Sequence, residues 1–325
     1  MKTAFLSTAL IVCASFAFAE GSLGVTSMIV NDAAGERPLN VSLWYQGSGG
    51  TQQNFGSNAV FEGVRAGGDA SFTGGPLPVV LVSHGGLRSS DDSGAWLSAE
   101  LAKAGFLAVE VNGPRPETAA DAVNEIWQRS NDVSLALTAI LNDTVWADRV
   151  DPSRISVVGF ALGGTAALAL SGGELDPQAF VQSCSTPSEE PDCAWYDAQD
   201  VAMDSVNMRE LIEPRDDRRI STVVAISPEY AGVFSDDLPS IKVPALLVSL
   251  GSEIPLEASN QTEIIARLTL PTASMFDAFS VCTPAGPEIL VEDGGDPALC
   301  GVSVEERQRV HDSIATQIVD FLGER

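Results

Sequence analysis

Histidine is almost missing from this chain: there are two among 325 residues, His84 and His311. Imidazole is the side chain that most readily takes and returns a proton near neutral pH, so chemistry that needs a general base has few places to reside. Cations are scarce as well, with 18 Lys and Arg against 44 Asp and Glu, for a net charge of −26. That balance argues against binding to nucleic acid or to anionic membrane surfaces, which depends on cationic groups. It does not bear on the fold. Apolar runs of ~18 residues, the length that spans a bilayer, are lacking too. The stretch Ala4–Phe18 is shorter, follows Lys2, and ends in the small-x-small site Ala17-Phe18-Ala19 before Glu20. Residues 1–19 therefore read as a secretory signal peptide rather than a membrane anchor, and the mature chain is expected to be secreted, in a periplasm-like compartment.

Cys13 leaves with that leader, and Cys184, Cys193, Cys282 and Cys300 remain. An even set in an oxidising compartment favours disulfides. Of the three connectivities, Cys184–Cys193 with Cys282–Cys300 is favoured, because each closes a short polar loop. No Cys-x-x-Cys pair exists and neither histidine lies near a cysteine, so no metal site is expected. Asp91-Asp92 and Asp236-Asp237 lack a calcium-loop pattern and read as solvated loops. No cofactor is expected either.

What is present is alternation of buried strands with helices. Val25–Val30 and Leu39–Tyr45 read as an antiparallel hairpin turned at Asn31–Gly35. A Gly-, Asn- and Ser-rich loop follows from Gly47 to Gly75. Leu77–Ser83 is a continuous apolar run of the kind buried on both faces of a parallel sheet, and Phe106–Val111, Ile155–Val158, Thr222–Ile226 and Ala245–Leu250 read as further buried strands. Helices are expected over Ala95–Ala104, Ala119–Leu141, Thr165–Leu170, Glu263–Leu268 and Glu305–Leu322. An acidic, irregular insert spans 176–219. The expected architecture is α/β: one domain over residues 20–325, a mostly parallel sheet with an N-terminal antiparallel hairpin and helices on both faces.

The chemistry-bearing motif is Gly159-Phe160-Ala161-Leu162-Gly163, between the strand at Ile155–Val158 and the helix at Thr165. Strand, tight glycine turn and helix are the context of a G-x-S-x-G nucleophile elbow, whose apex is held in a strained, exposed conformation. Here the apex is alanine. A methyl group cannot attack a carbonyl.

With Arg37–Tyr45, Leu77–Gly86, Asp151–Ile155 and Cys282 after a Phe-Asp-x-Phe stretch, this elbow resembles the secreted dienelactone hydrolase-like and platelet-activating-factor acetylhydrolase-like branch of the α/β-hydrolases. The resemblance covers nearly the whole mature chain and implies the α/β-hydrolase fold. It also implies a Ser nucleophile, an Asp beyond a later strand and a His before the last cysteine pair. Those positions hold Ala161, Glu253 (the nearest carboxylate, with no Asp there) and Met275. A single exchange at the elbow would not explain the other two. The resemblance further implies an oxyanion hole from the Gly85-Gly86-Leu87 loop and the backbone N–H of Leu162. It places His84 in that loop, where the ring reads as fixing the turn. His311 reads as a solvated face of the last helix. Ser83, Ser252 and Ser274 read as loop hydrogen-bonding groups, and Trp96, Trp127, Trp146 and Trp195 as core or interface filling, Trp195 at a pocket mouth.

The expected function is that of a pseudoenzyme. It has lost ester hydrolysis and binds a small ester or carboxylate ligand, or a partner, in the old crevice. Two alternatives stand beside it: a carboxylic-ester hydrolase using non-standard groups, such as Glu253 activating a water, and a scaffold presenting the acidic insert.

Overall fold

The computed structural model describes residues 22–87, 89–185, 190–234, 241–254 and 264–324. The leader at 1–19 and Asp236-Asp237 lie outside them. Among the described residues, eleven strands form one sheet. The hairpin is β1 (Ser22–Val30) and β2 (Leu39–Ser48), paired antiparallel from Ser22↔Gly47 to Val30↔Leu39. Gly35, at φ 71°, sits in its turn. Next come β3 (Thr51–Phe55), β4 (Val64–Gly68), β5 (Ser71–Phe72), β6 (Leu77–Ser83), β7 (Leu107–Asn112), β8 (Val150–Phe160), β9 (Thr222–Ile226), β10 (Ala245–Leu250) and β11 (Ile265–Leu270). Their spatial order is β11-β10-β9-β8-β6-β7-β2-β1-β4-β3, with β5 added to β2. The six strands from β11 to β7 run parallel.

Between them lie α1 (Ala95–Lys103), α2 (Ala119–Ala122), α3 (Glu125–Asn142), α4 (Leu162–Leu170), α5 (Pro177–Gln182), α6 (Cys193–Ala198), α7 (Met208–Leu211), α8 (Gly286–Glu292) and α9 (Val304–Gly323). Apolar side chains of the sheet divide into two clusters. One includes Leu81, Val109 and Val157 against Val133 and Leu137 of α3. The other includes Val80, Val82 and Val158 against Leu97 of α1 and Ile314 and Ile318 of α9. Adjacent residues of a strand face opposite sides, which is why Val79-Val80-Leu81-Val82 can be apolar without a break.

Several expectations need correction. The loop from Gly47 to Gly75 holds β3, β4 and β5. The exposed polar run Thr51-Gln52-Gln53-Asn54 carries no hydrophobic alternation, and its strand exists through backbone pairing with β4. The helix expected at Glu263–Leu268 is instead β11 over its described part, an edge strand in register with β10 from Ala245↔Ile265 to Leu250↔Leu270. Ala266, Leu268 and Leu270 lean on one core cluster while Ile265 joins the other, a period of two. The long helix expected at Ala119–Leu141 is two, α2 and α3, parted at Val123-Asn124. The insert is less irregular than its composition suggests, since α5, α6 and α7 lie within it.

Both favoured disulfides are present. Cys184–Cys193 joins the end of α5 to the start of α6, and Cys282–Cys300 closes the loop around α8. Among the described residues no helix is long and apolar enough to cross a membrane, and no three His, Cys, Asp or Glu side chains converge as a metal-binding group.

Candidate functional site

In a sheet of this kind, ligands sit beyond the carboxyl ends of the parallel strands, and the elbow stands there at the end of β8. The chain reverses from β8 into α4 so tightly that a Cβ on Gly159 would lie 1.9 Å from Gly163 O, and one on Gly163 would lie 1.9 Å from Ser83 O. Glycine is required at both. Between them Ala161 is forced to φ 55°, ψ −123°, a region that costs a non-glycine residue about 1–3 kcal/mol. Its backbone is held on both sides. The Ala161 N–H donates to Ile226 O at 3.1 Å, and Ala161 O accepts from Gly164, Thr165 and Glu229 N–H at 2.9, 3.2 and 3.1 Å. The geometry of an elbow is thus intact around a methyl group that is 1 % exposed.

The other expected positions occupy loops on the same edge of the sheet. Glu253 is exposed in the loop after β10, and Met275 is half-buried at the start of the 3-10 turn Met275–Ala278 after β11. Ser274 caps that turn, its N–H donating to Asp277 Oδ2 at 2.8 Å and its hydroxyl to the same atom at 3.3 Å. Ser252 is exposed, whereas Ser83 is buried beneath the elbow.

Neither histidine is directed at Ala161. His84 donates from Nε2 to Ala278 O at 2.8 Å and accepts at Nδ1 from the Ser93 hydroxyl at 3.3 Å. Its ring packs on Phe160 and Phe279. His311 is not a solvated helix face but is buried. Its ring stacks on Trp96 at 3.7 Å, and Nε2 donates to Phe279 O at 3.0 Å. Its polar neighbours Arg307, Arg309 and Asp312 suggest an exposed stretch, but helical spacing from Ile314 and Ile318 puts it on the face of α9 that packs on α1. Burial pushes both rings down to about 4, partly offset by the bonds to Ala278 O and Phe279 O. These depressed values make each neutral ring a stabilising group above the unfolded value near 6.5, lost as the pH falls from about 6.5 toward 4 because the unfolded chain then takes up more protons. Histidine NMR titrations are therefore expected to give both midpoints near 4. A midpoint between about 6 and 7.5 would show a ring free to act as a base.

The sequence reading missed Glu229. It follows β9 in Ser227-Pro228-Glu229-Tyr230, with Ser227 at φ 37° and Tyr230 at φ 53°. The signal was there: a lone carboxylate just past a buried parallel strand, beside the elbow strand. The Glu229 side chain is buried against the elbow. A Cβ on Gly86 would meet its Oε1 at 2.9 Å, and the Leu162 backbone N–H favours its charged form. Burial, then the charges of Asp192 and Glu190, push this carboxyl up to about 8, while Arg129 and the Leu162 N–H pull it back. Arg129 also fixes the glycine loop, donating to Gly86 O at 3.0 Å. Glu125 holds Arg129 in turn, at 2.9 Å, and Arg37 at 2.8 Å. Of the Gly85-Gly86-Leu87 loop, Gly85 gives its N–H to Phe160 O at 3.2 Å. Leu87 and Leu162 are buried in a third apolar cluster with Phe180, Tyr196 and Leu211 of the insert, and half-buried Trp195 packs at its margin. The insert is therefore a cover over the elbow rather than a free loop. Three surface cavities of about 290, 370 and 310 Å³ open elsewhere, and none of the three is lined by Ala161, Leu162, Gly86 or Glu229.

No family model matches this sequence, and no curated protein does. Among solved structures, a ferulic acid esterase from Streptomyces cinnamoneus superposes with a TM-score of 0.62 at 18 % identity, covering 96 % of this chain and 92 % of that one. With the mixed sheet, the helices on both faces and the elbow at the end of β8, that match gives this chain the α/β-hydrolase fold.

Proposed function

We propose that this is a secreted, single-domain α/β-hydrolase-fold protein, residues 20–325, that has lost ester hydrolysis and works by binding. Its ligand would be a small ester or carboxylate, or a protein partner, met at the carboxyl edge of the sheet. The observation that carries this reading is the elbow itself. Ala161 keeps the strained apex at φ 55°, ψ −123° and offers no atom that could form an acyl-enzyme. A nucleophile also needs a base within hydrogen-bond reach, and both imidazoles donate to backbone carbonyls of residues 278 and 279 instead. The branch near dienelactone hydrolases and platelet-activating-factor acetylhydrolases, with Glu253 and Met275 at vestigial triad positions, belongs to this proposal. So does export to a periplasm-like compartment after cleavage near Ala19, with which the two disulfides agree. No cofactor or metal enters it.

A serine-directed fluorophosphonate followed by intact-mass analysis tests the reading. The expected result is unmodified protein. A stoichiometric adduct mapped to Ser83, Ser252 or Ser274 would reveal a displaced nucleophile and overturn it.

A further inference from the structure

The N–H of Leu162 and the loop at Gly86 are where a ligand oxygen would be received if they form an oxyanion hole, a reading taken over from the proposed function. Both face one side chain. Glu229 Oε1 lies so near Gly86 that a Cβ there would stand 2.9 Å away, and the Leu162 N–H favours the charged form of the same carboxyl group. Glu229 is 6 % exposed, and its Oε2 has no hydrogen-bond partner among the described residues. Buried carboxyl oxygens are normally satisfied, so this group is placed by its backbone rather than drawn in by a full set of partners. That backbone is clamped to the elbow. Its N–H donates to Ala161 O at 3.1 Å, its carbonyl accepts from the Thr165 hydroxyl, and the next N–H, of Tyr230, donates to Glu190 Oε2 at 2.8 Å.

We infer that the Glu229 side chain is a built-in occupant of the oxyanion hole, lying across Leu162 and Gly86, so that a carbonyl or carboxylate ligand enters only by displacing it. Arg129 from α3 supplies the nearby positive charge, while Asp192 and Glu190 from the insert and the Tyr230 ring surround it. A carboxyl group is the same chemical class as the product of ester cleavage, so the donors meet an internal copy of such a ligand. Glycine at 86 is what lets the carboxyl lie this close.

The test uses the mature protein labelled with ¹⁵N and reads the Leu162 amide. In the native protein this amide is expected to shift with a midpoint near 8, following Glu229, and Glu229→Gln is expected to abolish that midpoint. Acetate is the probe ligand. Glu229→Ala, which clears the hole, is expected to bind it at least about tenfold tighter than the native protein, with the Leu162 amide among the shifted signals. Glu229→Gln retains an acceptor of the same size and is expected to show no gain. Equal acetate affinity in the native protein and Glu229→Ala would overturn the inference, as would a Leu162 amide indifferent to Glu229 ionisation. If Glu229→Ala fails to fold, the paired titrations of the native protein and Glu229→Gln still decide it. Detection of ester turnover would sink the proposed function while leaving this result standing, because the amide reads occupancy and not chemistry.

Discussion

Gly163→Ala is expected to lose at least about 4 kcal/mol of folding stability, enough to leave little native protein from a total of about 5–15 kcal/mol. The added methyl would stand 1.9 Å from Ser83 O and 2.6 Å from Ser83 C. Those are backbone atoms at the end of β6, held in register with β8 at Ser83↔Gly159. They cannot retreat without parting two central strands, so the clash is not one that a side-chain rotation relieves. Two neighbouring exchanges calibrate the effect. Gly164→Ala meets Pro228 at 3.1 Å, a contact that small shifts accommodate, and about 1 kcal/mol is expected. Gly323→Ala meets nothing within 4 Å at the end of α9 and should gain a few tenths of a kcal/mol or more from helix propensity. Urea unfolding followed by circular dichroism ranks the three. A native-like midpoint for Gly163→Ala would show that the turn from β8 to α4 is not packed on Ser83.

That strained turn was legible because its glycines are spaced by geometry, not by taste: the chain crosses itself at Gly159 and Gly163, and no other residue fits. The parallel strands were legible for a comparable reason. Thr222–Ile226 and Ala245–Leu250 are buried on both faces, so each is mostly apolar over the full length of its strand. The N-terminal hairpin and the terminal helix likewise showed their periods. What stayed hidden depends on partners far away in the chain. Thr51–Phe55 is a strand because β4 offers it a ladder, and polar residues at an edge leave no pattern. Ile265–Leu270 alternates over only six residues, too few to separate from a short helix. His311 looked solvated until α9 laid it on Trp96. Glu229 belongs to no motif. A lone Glu after a strand acquires meaning only when the turn from β8 to α4 brings Leu162 against it. The packing of the insert is hidden for the same reason, since Phe180, Tyr196 and Leu211 are scattered in an acidic segment and become a cover only once Leu87 and Leu162 lie beneath them.

The second large effect concerns chemistry. Placing a hydroxyl at the apex with Ala161→Ser is expected to add no ester hydrolysis. A serine at the apex would have no imidazole to take its proton, because His84 and His311 are committed to Ala278 O and Phe279 O and stay neutral down to about pH 4. Burial pushes the Glu229 carboxyl up to about 8, so at neutral pH only a minor fraction of it is in the basic form. Glu253 is exposed to solvent, outside the buried elbow. An elbow with donors but without a nucleophile–base pair retains at most the ~10³–10⁴-fold advantage that binding and an oxyanion hole give over water, and Glu229 lying across those donors argues for the lower end.

The deciding measurement is turnover of short p-nitrophenyl esters by purified mature protein, native and Ala161→Ser side by side against buffer. Both are expected to stay within ~10³-fold of the uncatalysed rate. A native turnover number near the ~10 s⁻¹ common among enzymes would contradict the loss of hydrolysis outright.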